Sequence, residues 1–483
     1  MKHGTDKPVI VLFRRDLRIG DNRALAAAAD TGSPILALFI LDEQSSGVRP
    51  RGAAALWWLH HSLATLAKRL DDVGVPLVLR EGRTGAIVEE LVSQTGAEAV
   101  FWNRRYDPGG VAADSKLKQA LRGKGIKAES FDGFLLHEPT KIKTGAGSFY
   151  KVFTPFWKAL EAGPEPRDPV DAPTNVNGYR HRVETMPLDK LVPLPTKPDW
   201  AGGLRDTWTP GEAGALERLE DFLADGIDGY AKGRDHPSKP ATSGLSPHLA
   251  HGEITPYQIF AALKERHVDA SSTDIATFRK EVGWREFCHH LLFHNPALHE
   301  KNFQPAFDDF HWHADKKALR AWQRGLTGYP IVDAGMRELW HTGVMHNRVR
   351  MIAASLLTKH LLIDWRDGER WFWDTLVDAD EASNPANWQW VAGSGADAAP
   401  YFRIFNPVLQ GEKFDPEGAY VRRWVPELEQ LPDKYLHKPW EAPEKILADG
   451  GIKLGDTYPR PIVDHAKARD RALSAYRAMR GEQ

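Results

Sequence analysis

Short apolar runs rich in β-branched residues alternate with helical patterns from residue 8 to about 135, and nothing else in the chain constrains its fold as much. Val9–Phe13 and Ile35–Leu41 are the first two runs; 76–80, 97–103 and Lys127–Phe131 follow. A strand apolar on both faces has no wet side, so it belongs in a parallel sheet covered by helices above and below. Between the runs, Leu56, Leu59, Leu63, Leu66 and Leu70 recur three and four apart and line one helix face. The spacing predicts a doubly wound α/β domain over 8–135. The first run continues as Arg14-Arg15-Asp16-Leu17-Arg18-Ile19-Gly20, without Gly-x-Gly-x-x-Gly, so an ordinary dinucleotide site at that turn is not supported. Ligands of such sheets still tend to lie beyond the strand C-termini, at the switch point.

Proline and glycine punctuate residues 136–210, which read as a connector with at most one short helix near Phe153 to Leu160. From 211 to 480 the pattern is helical, with candidates at 273–294, 331–343, 346–362, 366–378 and 462–480; Thr255-Pro256 has the form of an N-cap followed by proline. The expected architecture is α/β, then a linker, then an all-α domain. No apolar run is long enough to span a bilayer, and the N-terminus has no signal segment. The lone cysteine, Cys288, excludes an intramolecular disulfide framework and multi-cysteine zinc sites, which makes a reducing cytoplasm the default home. Lys plus Arg is 63 against 65 Asp plus Glu, a net charge of −2, so any contact with nucleic acid depends on local basic placement.

Of 17 Trp, nine fall between Trp284 and Trp390. They read either as an aromatic helical core or as a surface that stacks planar groups. Four constellations lie in the helical half. Thr242-Ser243-Gly244-Leu245-Ser246-Pro247 joins small hydroxyls and glycine to a helix start, which suits an anion such as pyrophosphate but also reads as a plain capped loop. Glu281, Trp284, Arg285 and Cys288 share one helix face: a poor core face, and either a solvated stripe or a polar-plus-stacking face for a flat heterocycle. Asn347 and Met351 lie one turn apart, flanked by Arg348, which suits a solvated or phosphate-facing edge, and Arg350, which suits that edge or an interior carboxylate. Asp378, Asp380 and Glu381 follow the Trp371/Trp373 helix, where acids at its C-terminus oppose the dipole; beyond them Trp388 and Trp390, two apart, point to opposite sides. His290 and His294 are four apart, but no acid completes a metal spacing, so no metal site is assigned.

These constellations, in this order, resemble the photolyase/cryptochrome family, most of all its bacterial cyclobutane-dimer photolyases. The matching runs include Phe13-Arg14-Arg15-Asp16-Leu17-Arg18, Phe153-Thr154-Pro155-Phe156, Gly328-Tyr329-Pro330-Ile331-Val332-Asp333, Met345-His346-Asn347-Arg348, Trp388-Gln389-Trp390 and Tyr401-Phe402-Arg403-Ile404-Phe405-Asn406-Pro407, within a likeness spanning about 8–478. The resemblance implies an N-terminal antenna domain and a C-terminal helical domain holding FAD, active as FADH⁻. It assigns Tyr230, Thr242, Ser243, Gly244, Leu245, Ser246, Phe278, Glu281, Arg285, Asn347, Arg350, Asp378, Ala379, Asp380 and Asn384 to the cofactor. Asn384 would face flavin N5, where an aspartate would add like charge beside the reduced flavin. Trp388, Trp365 and Trp312 match an electron-transfer chain to the surface. Glu281, Trp284, Asn347, Met351 and Trp390 match contacts to a flipped-out lesion, and Arg234, Arg348 and Arg403 are candidates near DNA phosphate. Glu281, Asn384 and Trp388 form the catalytic set. Phe278 stands where Trp is more usual, Val344 where an aromatic is frequent and Glu381 where many relatives have Leu, and Pro385 follows Asn384. The loop Asp107-Pro108-Gly109-Gly110 lacks the Asn-Glu pair of folate-binding relatives, which leaves 5,10-methenyltetrahydrofolate, an 8-hydroxy-deazaflavin or no antenna chromophore open.

Three functions follow from the resemblance: light-driven repair of cyclobutane pyrimidine dimers in UV-damaged DNA by a monomer, a cryptochrome-type blue-light receptor, or (6-4) photoproduct repair. Glu281 with Trp284, Asn384 in place of Asp, and a chain ending at Gln483 with almost no signalling tail favour the first. His346 followed by Asn347, in place of a His pair, argues against the third.

Overall fold

The computed structural model describes residues 7–174, 176–265, 273–398 and 402–482; Tyr401 lies outside them. Strands β1 (Val9–Phe13), β2 (Ile35–Leu41), β3 (Leu77–Glu81), β4 (Ala99–Asn103) and β5 (Lys127–Phe131) form one parallel sheet in the order β3-β2-β1-β4-β5. Helices α1 (Arg23–Asp30), α2 (Ala53–Asp72), α3 (Thr84–Thr95) and α4 (Pro108–Gly123) cross over between them. Val9 pairs with Ile35 on one side and Ala99 on the other, which places β1 at the centre. Leu59, Leu63, Leu66 and Leu70 of α2 cover one face. Ile87, Val88 and Leu91 of α3 cover the other, with Leu117 and Leu121 of α4. Burial of both faces is why β1 and β2 read as unbroken apolar runs, whereas the edge strands β3 and β5 carry charged residues.

The strand order reverses between β1 and β4, and residues leaving that point brace the sheet and dock the helical half. Arg14 stays within the sheet domain, donating to Asn103 O at 2.5 Å and to Asp114 Oδ1 at 3.0 Å, while Arg18 donates to Gly252 O at 2.8 Å. Arg15 pairs with Glu381. The glycines of the 107–110 loop have packing reasons: a Cβ on Gly109 would meet Gly47 O at 2.1 Å, and Asp107 caps α4 by accepting from Gly110 N at 2.6 Å.

The connector is more ordered than its composition suggests. It holds the expected helix α5 (Phe153–Glu161) and two further short ones, Leu188–Leu191 and Gly202–Thr207. Leu191 and Val192 join the core beneath α2, and Leu204 packs with Trp57 and Trp58, so tertiary burial stabilises helices too short to stand alone. Ile35 N donates to Asn177 O at 2.7 Å and Tyr179 N to Ile35 O at 2.8 Å, tying the connector to the sheet.

In the helical half, Thr273–His294 has the expected bounds. The helix Pro256–Glu265 opens with a capping box: Thr255 Oγ1 accepts from Gln258 N at 3.0 Å, and Gln258 Oε1 accepts from Thr255 N at 2.9 Å. The element expected over 346–362 is Asn347–Ser355 followed by a π-helical turn, Leu356–His360. That expected over 366–378 is Trp365–Thr375; it stops where Leu376 turns extended and Val377 N bonds Gly343 O at 2.8 Å. Trp322, Trp365, Phe372 and Trp388 lie in one core. Among the described residues no helix is long and apolar enough to cross a membrane.

Candidate functional site

The helix Thr273–His294 carries the aromatic and charged stripe seen in the sequence, and each member meets a different partner. Phe278 is buried 4.7 Å from Phe222 and 5.4 Å from Tyr230, in a cluster that includes Leu245. Glu281 pairs with Arg234. Trp284 lies flat on Phe153, with ring centroids 3.7 Å apart and planes 8° apart. Arg285 donates to Phe134 O at 3.0 Å with its guanidinium 4.3 Å above that ring, and its buried Nη2 has no described partner. Cys288 belongs to the core, where burial pushes its thiol up to about 12.

The loop between Trp365–Thr375 and Ser383–Ala392 gathers residues from distant elements. Asp378 Oδ2 accepts from Ser246 Oγ at 2.7 Å and from Arg350 Nη2 at 2.8 Å. Arg350 thus meets an interior carboxylate, one of the two partners its position allowed. Gly244 has φ +62°, and a Cβ there would meet Arg218 at 2.7 Å, which explains the glycine of the 242–246 turn. The helix that follows, Ser246–His251, is only six residues long, so the turn's hydroxyls count for more than a dipole.

One sequence expectation needs correcting. Asp380 does not oppose a helix C-terminus; it caps the N-terminus of Ser383–Ala392, Oδ1 accepting from Ala382 N at 2.9 Å and Ser383 N at 2.6 Å, where the dipole favours it. Burial alone would raise its carboxyl, but His289, Arg285 and Arg15 outweigh this and hold it well below the usual range. Burial and neighbouring Asp107 instead push Glu381 up to about 7 against the pull of Arg15.

Asn384 is buried and its amide is oriented. Nδ2 donates to Glu369 Oε1 at 2.8 Å and Glu369 O at 3.0 Å; Arg49 holds that carboxylate through two bonds of 2.7 and 2.9 Å. Oδ1 is therefore the end left for a donor. Sequence reasoning missed Glu369 and Arg49, and no local signal marks them.

Trp388 packs edge-on against Trp322 at 6.0 Å and Phe372 at 5.0 Å, deep in the core that also holds Trp365; half-buried Trp312 packs on its edge. Trp390, two residues on, is half-buried and donates through Nε1 to Asp397 O at 3.1 Å; its stretch of helix borders a cleft with Lys359, Phe402, Arg403 and Tyr476. Arg348 pairs with Asp235 at 2.7 Å and reaches Met351 Sδ at 3.9 Å; Asn347 opens the same helix.

Residues 278–478 match the family model described as the FAD binding domain of DNA photolyase, and residues 9–174 match the model described as DNA photolyase. The chain belongs to the DNA photolyase family. It is 58% identical to the deoxyribodipyrimidine photo-lyase of Agrobacterium fabrum, covering 98% of both chains. It is 38% identical to Arabidopsis thaliana cryptochrome-1, over 95% of this chain and 69% of that one. The crystal structure of a class III photolyase from Agrobacterium tumefaciens superposes with a TM-score of 0.95 at 58% identity, covering 98% of both. Tyr230, Arg234 and Thr242–Ser246 fall between the two matched photolyase segments, yet the ion pair to Glu281 and the bond to Asp378 tie them to the FAD binding domain.

The polar groups of the site fit a flavin nucleotide. Asp378 Oδ1 is buried without a partner among the described residues, Arg350 is neutralised beside it, and Asn384 presents an amide oxygen. A buried acceptor left unpaired costs roughly 1–3 kcal/mol, which a ligand N–H or O–H offsets.

Proposed function

We propose that this chain is a cytoplasmic, monomeric enzyme that uses light to split cyclobutane pyrimidine dimers in DNA. A reduced flavin, FADH⁻, held in this site would supply light-driven one-electron chemistry, the electron that opens the cyclobutane ring being returned so that no net redox change results. The chain needs no nucleophile for this; its residues bind, orient and exclude water.

Ser246 and Arg350, both anchored on Asp378, with Thr242, Ser243 and the Gly244–Leu245 backbone, hold the phosphates, sugar and ring edge. Tyr230 and Phe278 give the apolar wall. Asn384 Oδ1 would accept a hydrogen bond from flavin N5–H without adding negative charge. Trp284 and Trp390 stack the two extruded pyrimidines, Glu281, steadied by Arg234, meets their polar edges, and Arg348 and Arg403 contact flanking phosphates. Trp312, Trp365 and Trp388 run from a half-exposed edge to the buried core and carry an electron inward.

The observation that carries repair over a receptor role is the neutral, pre-oriented amide of Asn384. The 38% identity to cryptochrome-1 keeps the receptor as the second reading. Reduced holoprotein mixed with a thymine-dimer oligonucleotide should restore intact thymines under blue light and leave them dimerised in the dark. Dimers that survive illumination would refute repair and favour the receptor.

A further inference from the structure

We infer that Asp397 is a positioning residue for lesion recognition, setting the Trp284 and Trp390 walls of the base pocket together. The inference rests on the repair reading, which makes those indoles the stacking surfaces.

The two rings stand on different helices, and no ring contact between them is recorded among the described residues. Asp397 touches the support of each. Its carbonyl accepts from Trp390 Nε1 at 3.1 Å. Its Oδ2 accepts from Phe153 N at 3.2 Å, and the Phe153 ring is the plate on which Trp284 lies, 3.7 Å between centroids. One residue thus holds one wall through its backbone and the other through its side chain.

The chain around Asp397 is built to keep it there. Gly393 turns with φ +94°, and Gly395 N donates to Gln389 O at 2.9 Å, folding the segment back on the helix that carries Trp390. A Cβ on Gly395 would sit 2.7 Å from Trp390 N, so only glycine permits this approach. Asp397 has φ +53°, a region that Asp and Asn enter more readily than other residues with a Cβ. Phe153 N belongs to the first turn of α5, whose N-cap Val152 offers no side-chain acceptor, so the carboxylate satisfies an otherwise orphan donor and places negative charge at a helix N-terminus. An indole free to swing must be ordered when a base stacks on it, and ordering it beforehand removes that cost from binding.

Three substitutions separate the two halves of this role. Asp397→Asn keeps an acceptor and tolerates the backbone. Asp397→Gly adopts the same positive φ without strain and removes the bond to Phe153. Asp397→Ala loses the acceptor and strains the turn. With full-length holoprotein, anisotropy titrations should show Asp397→Gly losing affinity for a thymine-dimer oligonucleotide on the order of tenfold, the scale of one charge-assisted hydrogen bond. Its affinity for undamaged DNA and its flavin absorption should match the parent, while amide exchange of the Phe153 peptide quickens. Asp397→Ala should lose more, and Asp397→Asn should bind the lesion within about twofold of the parent. Parental selectivity in Asp397→Gly, or equal loss in Asp397→Asn, would overturn the inference while leaving repair standing. A parent protein that does not prefer dimer-containing DNA would overturn the repair reading, and this inference with it.

Discussion

Replacing Glu369 by alanine should destabilise the helical half and loosen Asn384 at the same time. The Glu369 side chain is 2% exposed, and its carboxylate meets Arg49 at 2.7 and 2.9 Å and Asn384 Nδ2 at 2.8 Å. Without it, the Arg49 guanidinium, 3.9 Å above Trp373, loses its counter-charge, and Asn384 keeps only the bond to the residue-369 carbonyl. Breaking a buried pair by removing one partner costs about 3–5 kcal/mol. Arg49 retains 17% side-chain exposure, so water screens part of the loss and about 3 kcal/mol is expected. At about 2–4 °C per kcal/mol for a domain of roughly this size, Tm should fall by about 6–12 °C. A double-mutant cycle tests the reasoning: Arg49→Ala/Glu369→Ala should be about 1–3 kcal/mol more stable than the two single losses added together, because no unpaired charge remains. Melts followed by circular dichroism measure this, and the rate at which air reoxidises the reduced flavin reports the freed amide. Strict additivity, or a Tm within about 2 °C of the parent for Glu369→Ala, would refute the argument.

Trp284→Ala should weaken binding of a thymine-dimer oligonucleotide by about 1–3 kcal/mol through lost stacking; unchanged affinity in a titration would count against the pocket. Trp312→Phe should slow photoreduction of the oxidised flavin, followed by absorption, while pre-reduced enzyme repairs normally; equal photoreduction would remove Trp312 from the electron path. Glu286 accepts from Leu136 N at 2.9 Å, and burial pushes its carboxyl from 4.5 up to about 7 despite Arg285 and two backbone donors. Between those values the folded state holds a proton that the unfolded chain has released, so stability falls as pH rises through that window. Glu286→Gln should therefore raise Tm at pH 8 by the equivalent of about 3 kcal/mol at most, with the gain vanishing near pH 5; a gain independent of pH would contradict the assignment.

Elements whose burial follows a local pattern could be read from consecutive residues. Val9–Phe13 and Ile35–Leu41 have the bounds read from the sequence, because a strand buried on both faces writes its surroundings into consecutive residues; Lys127–Phe131 and Thr273–His294 also have the expected bounds, although the first is an edge strand with only Ala128 buried and the second buries residues around its whole circumference. The tryptophan pair at 388 and 390 was legible for a related reason: two residues apart on a helix, one ring is buried in the core and the other is half-buried outside it. What each polar residue meets depends instead on how distant segments come together. Ser246 reaches Asp378 across 132 residues, Arg49 reaches Glu369 across 320, and Arg15 reaches Glu381 across 366. Asp380, read as an unfavourable acid after one helix, became the cap of the next once Leu376 turned extended. A hydrogen bond acts over about 3 Å whatever the distance along the chain, so which donor meets which acceptor is settled only when the sheet's switch point docks on the helices and brings the loops together.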